Sequence, residues 1–211
     1  MPDKVGMRIG AVILTGGRGQ RMGRAKESLP FGGRPLLAHV VHNLQPAADA
    51  ILVVARDPDQ ELPALPDDVL VTSDERDGGP LAGLAAGLRA LQRDAGFGDD
   101  DVAFATACDM PFVDAALVRW LLAHLPGHTV VMPRAADVLQ PLCALYRLSM
   151  LPHANALLDA GERTPRSLAR HPDAAILAQA EFSKIDPRGR YLRNVNTPAD
   201  YEAALAEFEQ P

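Results

Sequence analysis

Apolar residues come along this chain in short unbroken runs, each closed by a turn residue: GAVILTG (10–16), AILVVARD (50–57), DVLVTSD (68–74) and DVAFATACD (101–109). A run of that length without polar alternation predicts a strand buried on both faces, as in a parallel sheet. Between the runs the spacing becomes helical. Leu36, Leu37, Val40, Val41 and Leu44 share one face after Pro35, and PLAGLAAGLRALQ (80–92) carries a proline near its start, where a helix has no N–H bond to lose. FVDAALVRWLLAHL (112–125) predicts a third helix, and HTVVMP (128–133) and LQPLCALYR (139–147) predict two strands. The last third predicts a helix over 150–161, a short segment near 164–172 and a strand over 174–182. A terminal helix follows from Pro198, capped by Thr197. DPDQELPALPDD (57–68) and DAGFGDDD (94–101) predict surface loops, because neither offers a continuous apolar face. The expected product is an α/β fold: a mixed, mostly parallel sheet with helices on both faces, binding its ligand at the carboxyl ends of the strands.

Length and charge narrow the picture. The 211 residues suit a single domain spanning 1–211, and 47% hydrophobic with 23% charged residues is the balance of a chain that buries a sizeable core. A net charge of -6 argues against broad nucleic-acid binding, yet Arg18, Arg21, Arg24 and Lys26 form a local basic patch. Such contrast suits a small phosphorylated ligand. Cys108 and Cys143 have no CxxC spacing, so a reducing cytoplasm and no metal cluster are expected. No stretch approaches the about 20 apolar residues of a membrane span, and no membrane partner is expected.

The basic patch lies in LTGGRGQRMGRAK (14–26), directly after the first strand. A GxxxxGK[ST] phosphate loop is absent, since Lys26 follows Ala25 and precedes Glu27. A dinucleotide fingerprint also fails, because Gly17, Gly19 and Gly23 give GxGxxxG and no helix opens there. The stretch instead resembles the LAGGxSxRMGxxK signature of nucleotidyltransferases with a GT-A-type domain, in their molybdenum cofactor branch. Thr15 stands for alanine and Gly19 for serine, both small enough to keep the turn. GGPLAGLAAGL (78–88), TACDMPF (106–112), QPLCALY (140–146) and NVNTPAD (194–200) are similar to further motifs of that branch, in the same order. The resemblance covers residue 10 to about 201 and implies a Rossmann-like three-layer sandwich. It also implies transfer of GMP from GTP to molybdopterin with Mg2+, releasing pyrophosphate, with about 10–112 taking the nucleotide and about 113–211 the acceptor. Cofactor-delivery or acceptor proteins are the implied macromolecular partners.

Nucleotidyl transfer brings an anionic phosphate to the α-phosphorus of a triphosphate, so charge neutralisation and in-line positioning carry the catalysis. The backbone of Leu14, Thr15, Gly16 and Gly17 is expected at the base and phosphates, with Arg21 and Lys26 giving positive charge to the polyphosphate. The resemblance places Lys26 among the nucleotide ligands; the bland reading is a solvated basic loop, and for Arg18 and Arg24 the two readings balance. Asp109 ends a strand ahead of Met110 and Pro111, where a carboxylate reaches a metal ion outside the sheet. Its competing role is the N-cap of the 112–125 helix, which Asp114 also claims. Asp74 corresponds to the family's nucleotide-binding aspartate, with Asp77 as competitor. Gly79, Pro80 and Gly83 suit close approach of a ligand to a helix start. Val54 offers a ligand only its backbone. The resemblance puts Asn194 and Asn196 on the acceptor side, and their period-two spacing puts both on one face; the alternative is a pair of turn residues. Cys108 is expected to pack, and His39 and His42 to be surface or boundary residues. Cytidylyl transfer to the same pterin and a non-catalytic nucleotide-binding accessory protein are the rival functions.

Overall fold

The computed structural model describes residues 6–15, 25–74, 76 and 78–209. Its elements in chain order are β1 (Ile9–Leu14), β2 (Pro30–Phe31), β3 (Arg34–Pro35), α1 (Leu36–Leu44), β4 (Ala50–Ala55), β5 (Leu70–Ser73), α2 (Gly79–Ala95) and β6 (Val102–Ala107). They continue with α3 (Ala115–Leu122), β7 (Val130–Ala135), β8 (Val138–Leu139), β9 (Cys143–Arg147), α4 (Leu151–Asp159), β10 (Ala174–Leu177), α5 (Gln179–Ile185) and α6 (Pro198–Phe208). The main sheet runs β10-β7-β9-β6-β1-β4-β5, with β8 paired to β7. The strands at β1 pair in parallel on both sides, and β9 runs against β6 and β7. The four apolar runs are therefore the parallel strands β1, β4, β5 and β6; β1, β4 and β6 are buried on both faces as expected, whereas β5 is the edge strand and leaves Val71 exposed.

Successive residues of each central strand enter opposite cores. Val12 and Leu14 pack with Leu52 and Val54 under α2 and α4, while Ala11 and Ile13 pack with Ile51 and Val53 under α1 and α3. Helices thus cover both faces, and the fold is the predicted three-layer sandwich.

Three predicted elements differ in extent. The third helix begins at Ala115 rather than 112, because the Asp114 side chain accepts the Leu117 N–H at 2.9 Å and caps it there. The 139–147 strand splits into β8 and β9; Pro141 has no N–H for a ladder, and Cys143 N–H closes a turn onto Gln140 at 3.1 Å. The 174–182 strand stops at Leu177, and 179–185 winds into α5, whose Phe182 and Ile185, three residues apart, reach the same core as Trp120. Residues 30–35 form the small β2–β3 hairpin, which apolar periodicity does not reveal in two-residue strands. The 57–68 stretch is irregular, as predicted, yet Leu62 and Leu65 pack against the core.

Two packing arrangements set the edge where the strands end. The first is the contact of α2 on β1. A Cβ on Gly87 would lie 2.4 Å from Val12 Cγ1, one on Gly83 3.3 Å from Leu14 Cδ2, and one on Gly10 2.5 Å from Leu91 Cδ1. Glycines on both partners let the helix lie against the strand at a separation that any side chain would widen. The second is a small core of Leu29, Phe31, Leu36, Phe112, Val195 and Ala204. It docks α6, which starts with a Thr197/Asp200 capping box, onto the β2–β3 hairpin, and the Tyr201 hydroxyl donates to the Pro30 carbonyl. No helix among the described residues is long and apolar enough to cross a membrane.

Gly87→Ala tests the first contact. In an open helix the change gains about 1 kcal/mol, but here the new methyl collides with a stiff buried valine, and overpacking costs typically about 1–3 kcal/mol. The expected outcome is a lower Tm, at roughly 2–4 °C per kcal/mol for a chain of this size. Combining it with Val12→Ala, which removes the colliding carbons, should cost less than the sum of the two single substitutions.

Candidate active site

From β1 the chain moves out to β4 and β5 on one side, then crosses to β6 on the other. Such a reversal opens a crevice at the carboxyl ends of the strands, between β1 and β6. Cys108 N–H donates to the Leu14 carbonyl at 2.9 Å, so the pairing persists to the edge, where Thr15 and Asp109 emerge.

Lys26 reaches the same place from the other end of the glycine-rich stretch. It opens a 3-10 turn, Lys26–Ser28, in which Leu29 N–H donates to the Lys26 carbonyl at 3.1 Å. Its ammonium donates to Asp109 Oδ2 at 3.2 Å and to Asn196 Oδ1 at 2.8 Å. The lysine and aspartate side chains are only 16% and 19% exposed, so the pair is largely shielded yet open to a ligand from the edge. Asn196 is delivered by the docked C-terminal segment: Val195 is buried, and its N–H donates to the Asp109 carbonyl at 2.8 Å. Lys26, Asp109 and Asn196 therefore meet, and with Asp114 capping α3, Asp109 is left for the crevice. Its other oxygen, Oδ1, has no hydrogen-bond partner among the described residues. No group of three or more His, Cys, Asp or Glu able to hold a metal is found among them. One free carboxylate oxygen at the edge fits a hard cation whose shell is completed by ligand phosphate and water.

Other residues meet the crevice differently. Asn194 is exposed, and its Nδ2 donates only to the Leu192 carbonyl, at 3.3 Å, among the described residues. Asp74 stands at the end of β5, two strands out from β1, with Oδ1 accepting the Arg76 N–H at 2.9 Å. Gly79 takes the left-handed φ of 67°, Pro80 has no N–H, and the Leu81 N–H is taken by the Arg163 carbonyl at 3.0 Å. Gly83 serves the α2–β1 contact. Thr15 N–H and Oγ1 both lie 3.0 Å from the Val54 carbonyl, so the backbone acceptor that Val54 offered a ligand is occupied. Gly16, Gly17, Arg18, Arg21, Arg24 and Asp77 lie outside the described residues.

Four polar residues join the site without being legible as site residues. Glu27 is 7% exposed, and its Oε1 accepts from Gln60 Nε2 at 2.6 Å; Gln60 Oε1 lies 3.0 Å from Thr15 Oγ1. His39 is buried, contrary to the surface or boundary position expected of it. Its Nε2 is 3.0 Å from the Pro111 carbonyl, to which Asn43 Nδ2 also donates at 3.2 Å, and its ring stacks edge-on with Phe31. Together His39 and Asn43 hold the turn that carries Asp109. His42 is exposed, as expected. The Cys108 thiol is buried, and burial with the neighbouring Asp109 charge raises its pKa, so it packs as a neutral thiol.

Elsewhere, a cleft of about 440 Å³ opens between β7 and the Pro165–Arg170 turn. Arg134, Arg166 and Arg170 line it, and of the three only Arg170 has an ion-pair partner among the described residues, Glu162 at 3.7 Å.

Residues 11–176 match the family model of the MobA-like NTP transferase domain. The chain belongs to that family. Two relatives named molybdenum cofactor guanylyltransferase, from Ectopseudomonas mendocina and Rhodobacter capsulatus, are 37% and 36% identical to it. The first match covers 92% of this chain and 90% of the relative, the second 97% and 98%. Among solved structures, molybdopterin-guanine dinucleotide biosynthesis protein A from Archaeoglobus fulgidus superposes with a TM-score of 0.76, over 96% of this chain and all of that one, at 24% identity. That likeness shows the fold of the MobA-like domain.

The burial of His39 has a measurable sign. Desolvation lowers its pKa below the ordinary 6.5, helped by the Arg34 and His42 charges, so the folded chain keeps it neutral where the unfolded chain binds a proton. This contribution is absent above the unfolded pKa and becomes destabilising as pH falls through it. Comparing wild type with His39→Gln, which keeps a donor for the Pro111 carbonyl, the wild type's advantage in Tm should shrink as pH falls from about 7.5 to about 5.5.

Proposed function

We propose that the protein is a molybdenum cofactor guanylyltransferase, joining GMP from GTP to molybdopterin and releasing pyrophosphate in the cytoplasm. The observation that carries this is the Lys26 ammonium held between Asp109 and Asn196 at the carboxyl edge of β1 and β6. In this reading, the terminal phosphate of the pterin attacks the α-phosphorus of GTP. A new phosphorus–oxygen bond forms as the α–β bridge breaks, and pyrophosphate leaves with the electron pair. No covalent enzyme intermediate is involved. Lys26 has three protons and uses two on Asp109 and Asn196, so the third faces the polyphosphate as negative charge builds on it. Arg21 adds a second positive charge.

Asp109 would hold Mg2+ through its free oxygen, and the bound cation supplies neutralisation of phosphate charge. The nucleotide lies along Thr15, Gly16 and Gly17, its base toward Asp74, Gly79 and Pro80, within residues about 10–112. The acceptor lies within about 113–211. Asn194 and Asn196 border its phosphate, and the arginine-lined cleft suits the anionic remainder of the pterin. Asn196 thus touches both halves, because the side chain assigned to the acceptor already holds the nucleotide's lysine.

The test is pyrophosphate release from each nucleoside triphosphate with Mg2+, with and without molybdopterin. Release should need both GTP and the pterin. Preference for CTP would move the base assignment, and no release with any triphosphate would end the transferase reading. Asp109→Asn keeps the size of the side chain but not its charge, so kcat should fall by about 100-fold to 1,000-fold. The fold should survive the change, because the amide keeps the size and an acceptor for the Lys26 ammonium.

A further inference from the structure

The polar residue best tied into the site lies in the loop that the sequence presents as featureless. Gln60, between β4 and β5, directs its amide at three segments. Oε1 accepts the Arg56 N–H at 2.7 Å and lies 3.0 Å from Thr15 Oγ1; Nε2 donates to Glu27 Oε1 at 2.6 Å. The orientation of the amide follows from its surroundings. A backbone N–H needs an acceptor on one side and a carboxylate needs a donor on the other. Thr15 ends the strand that enters the glycine-rich stretch, and Glu27 follows Lys26 where the chain leaves it, 33 residues before Gln60. Glu27 is 7% exposed, and a carboxylate that well hidden requires a partner.

We infer that Gln60 is a positioning residue, acting through Thr15 and Glu27 to hold the Lys26 turn at the end of β1. It touches neither Lys26 nor Asp109. A planar head with one acceptor and one donor is what the position demands, so charge and donor pattern matter more than size.

The inference rests on the transferase reading for its kinetic consequence but has a readout independent of it. In Gln60→Glu a second carboxylate faces Glu27. Amide hydrogen exchange at Ser28 and Leu29, whose N–H groups close the Lys26 turn, should quicken about tenfold or more, while exchange inside β1 stays unchanged. Adding Glu27→Gln reverses the polarity of the pair, since the carboxylate now at position 60 accepts from Arg56, Thr15 and the amide introduced at position 27. The double variant should return exchange to within about threefold of wild type. In pyrophosphate release, kcat should fall with the single variant and recover with the double, while KM for GTP moves less. Gln60→Met, which keeps the length without donor, acceptor or charge, should loosen the same two amides and so carries the test if Gln60→Glu does not fold. Unchanged exchange at Ser28 and Leu29 in the single variants, or loosening spread evenly over the chain, would overturn the inference whatever the activity. So would a double variant no better than Gln60→Glu. A wild type without guanylyl transfer would instead reject the function and leave the exchange result standing.

Discussion

Lys26 carries one positive charge to a point where three distant stretches of chain must arrive together. Its partners lie 83 and 170 residues further along, so its geometry cannot be local. The parallel pairing of β1 with β6 brings Asp109 beside the end of β1, and the docking of α6 on the β2–β3 hairpin brings Asn196 in from the C-terminal segment. Val195 links the two: its side chain sits in the small core, and its N–H bonds to the Asp109 carbonyl. Fold and site are thus coupled at one residue pair.

The coupling explains why so much structure serves a contact of small energetic value. In a largely shielded ion pair the cost of desolvating both charges offsets much of their attraction, so its net contribution is small beside the burial of Leu29, Phe31, Leu36 and Val195 that puts it in place. The apolar clusters provide the stability and the ammonium provides the chemistry. A lysine already held by two acceptors also needs little reordering when an anion arrives, which is the sense in which a site is preorganised. The same logic applies to the turn under Asp109. His39 and Asn43 hold the Pro111 carbonyl from α1, and Asp114 caps α3, leaving the Asp109 carboxylate without a structural duty of that kind.

Much of this is legible in the sequence where periodicity or a motif speaks. The apolar runs at 10–16, 50–57 and 101–109 mark parallel strands because burial on both faces leaves no alternation to misread, and the run at 68–74 marks the parallel edge strand although Val71 is exposed. The Thr197–Pro198 start of α6 is legible because capping is local chemistry. Failures occur where a tertiary contact decides. The predicted 174–182 strand runs on through Phe182, yet Gln179, Ala180 and Glu181 are helix formers, and the packing of Phe182 against Trp120 belongs to the helix. Lys26, Asp109 and Asn196 stand out through motifs, whereas Gln60 and Glu27 do not. Gln60 sits in a loop whose prolines hide any pattern, and its partners Glu27 and Thr15 lie 33 and 45 residues away. His39 misleads for the same reason, since a histidine on an apolar helix face looks peripheral until Phe31 and Phe208 are seen around it.

The α2–β1 contact shows how the sheet edge is kept fixed while the loops above it carry function. Gly83 and Gly87 lie one turn apart on the buried face of α2, and Gly10 answers Leu91 from β1, so close approach runs along most of the strand. Position along this seam is set by backbone fit rather than by adaptable side chains, and a helix seated that way cannot slide without collision. Its first turn is fixed as well, because the Arg163 carbonyl accepts the Leu81 N–H and the space a side chain on Gly79 would need is closed by that same carbonyl at 3.1 Å. The start of α2, the end of β1 and the turn bearing Asp109 therefore form one rigid rim. The polar groups beside it stand on irregular chain: the amide of Gln60 and the asparagines of the C-terminal segment.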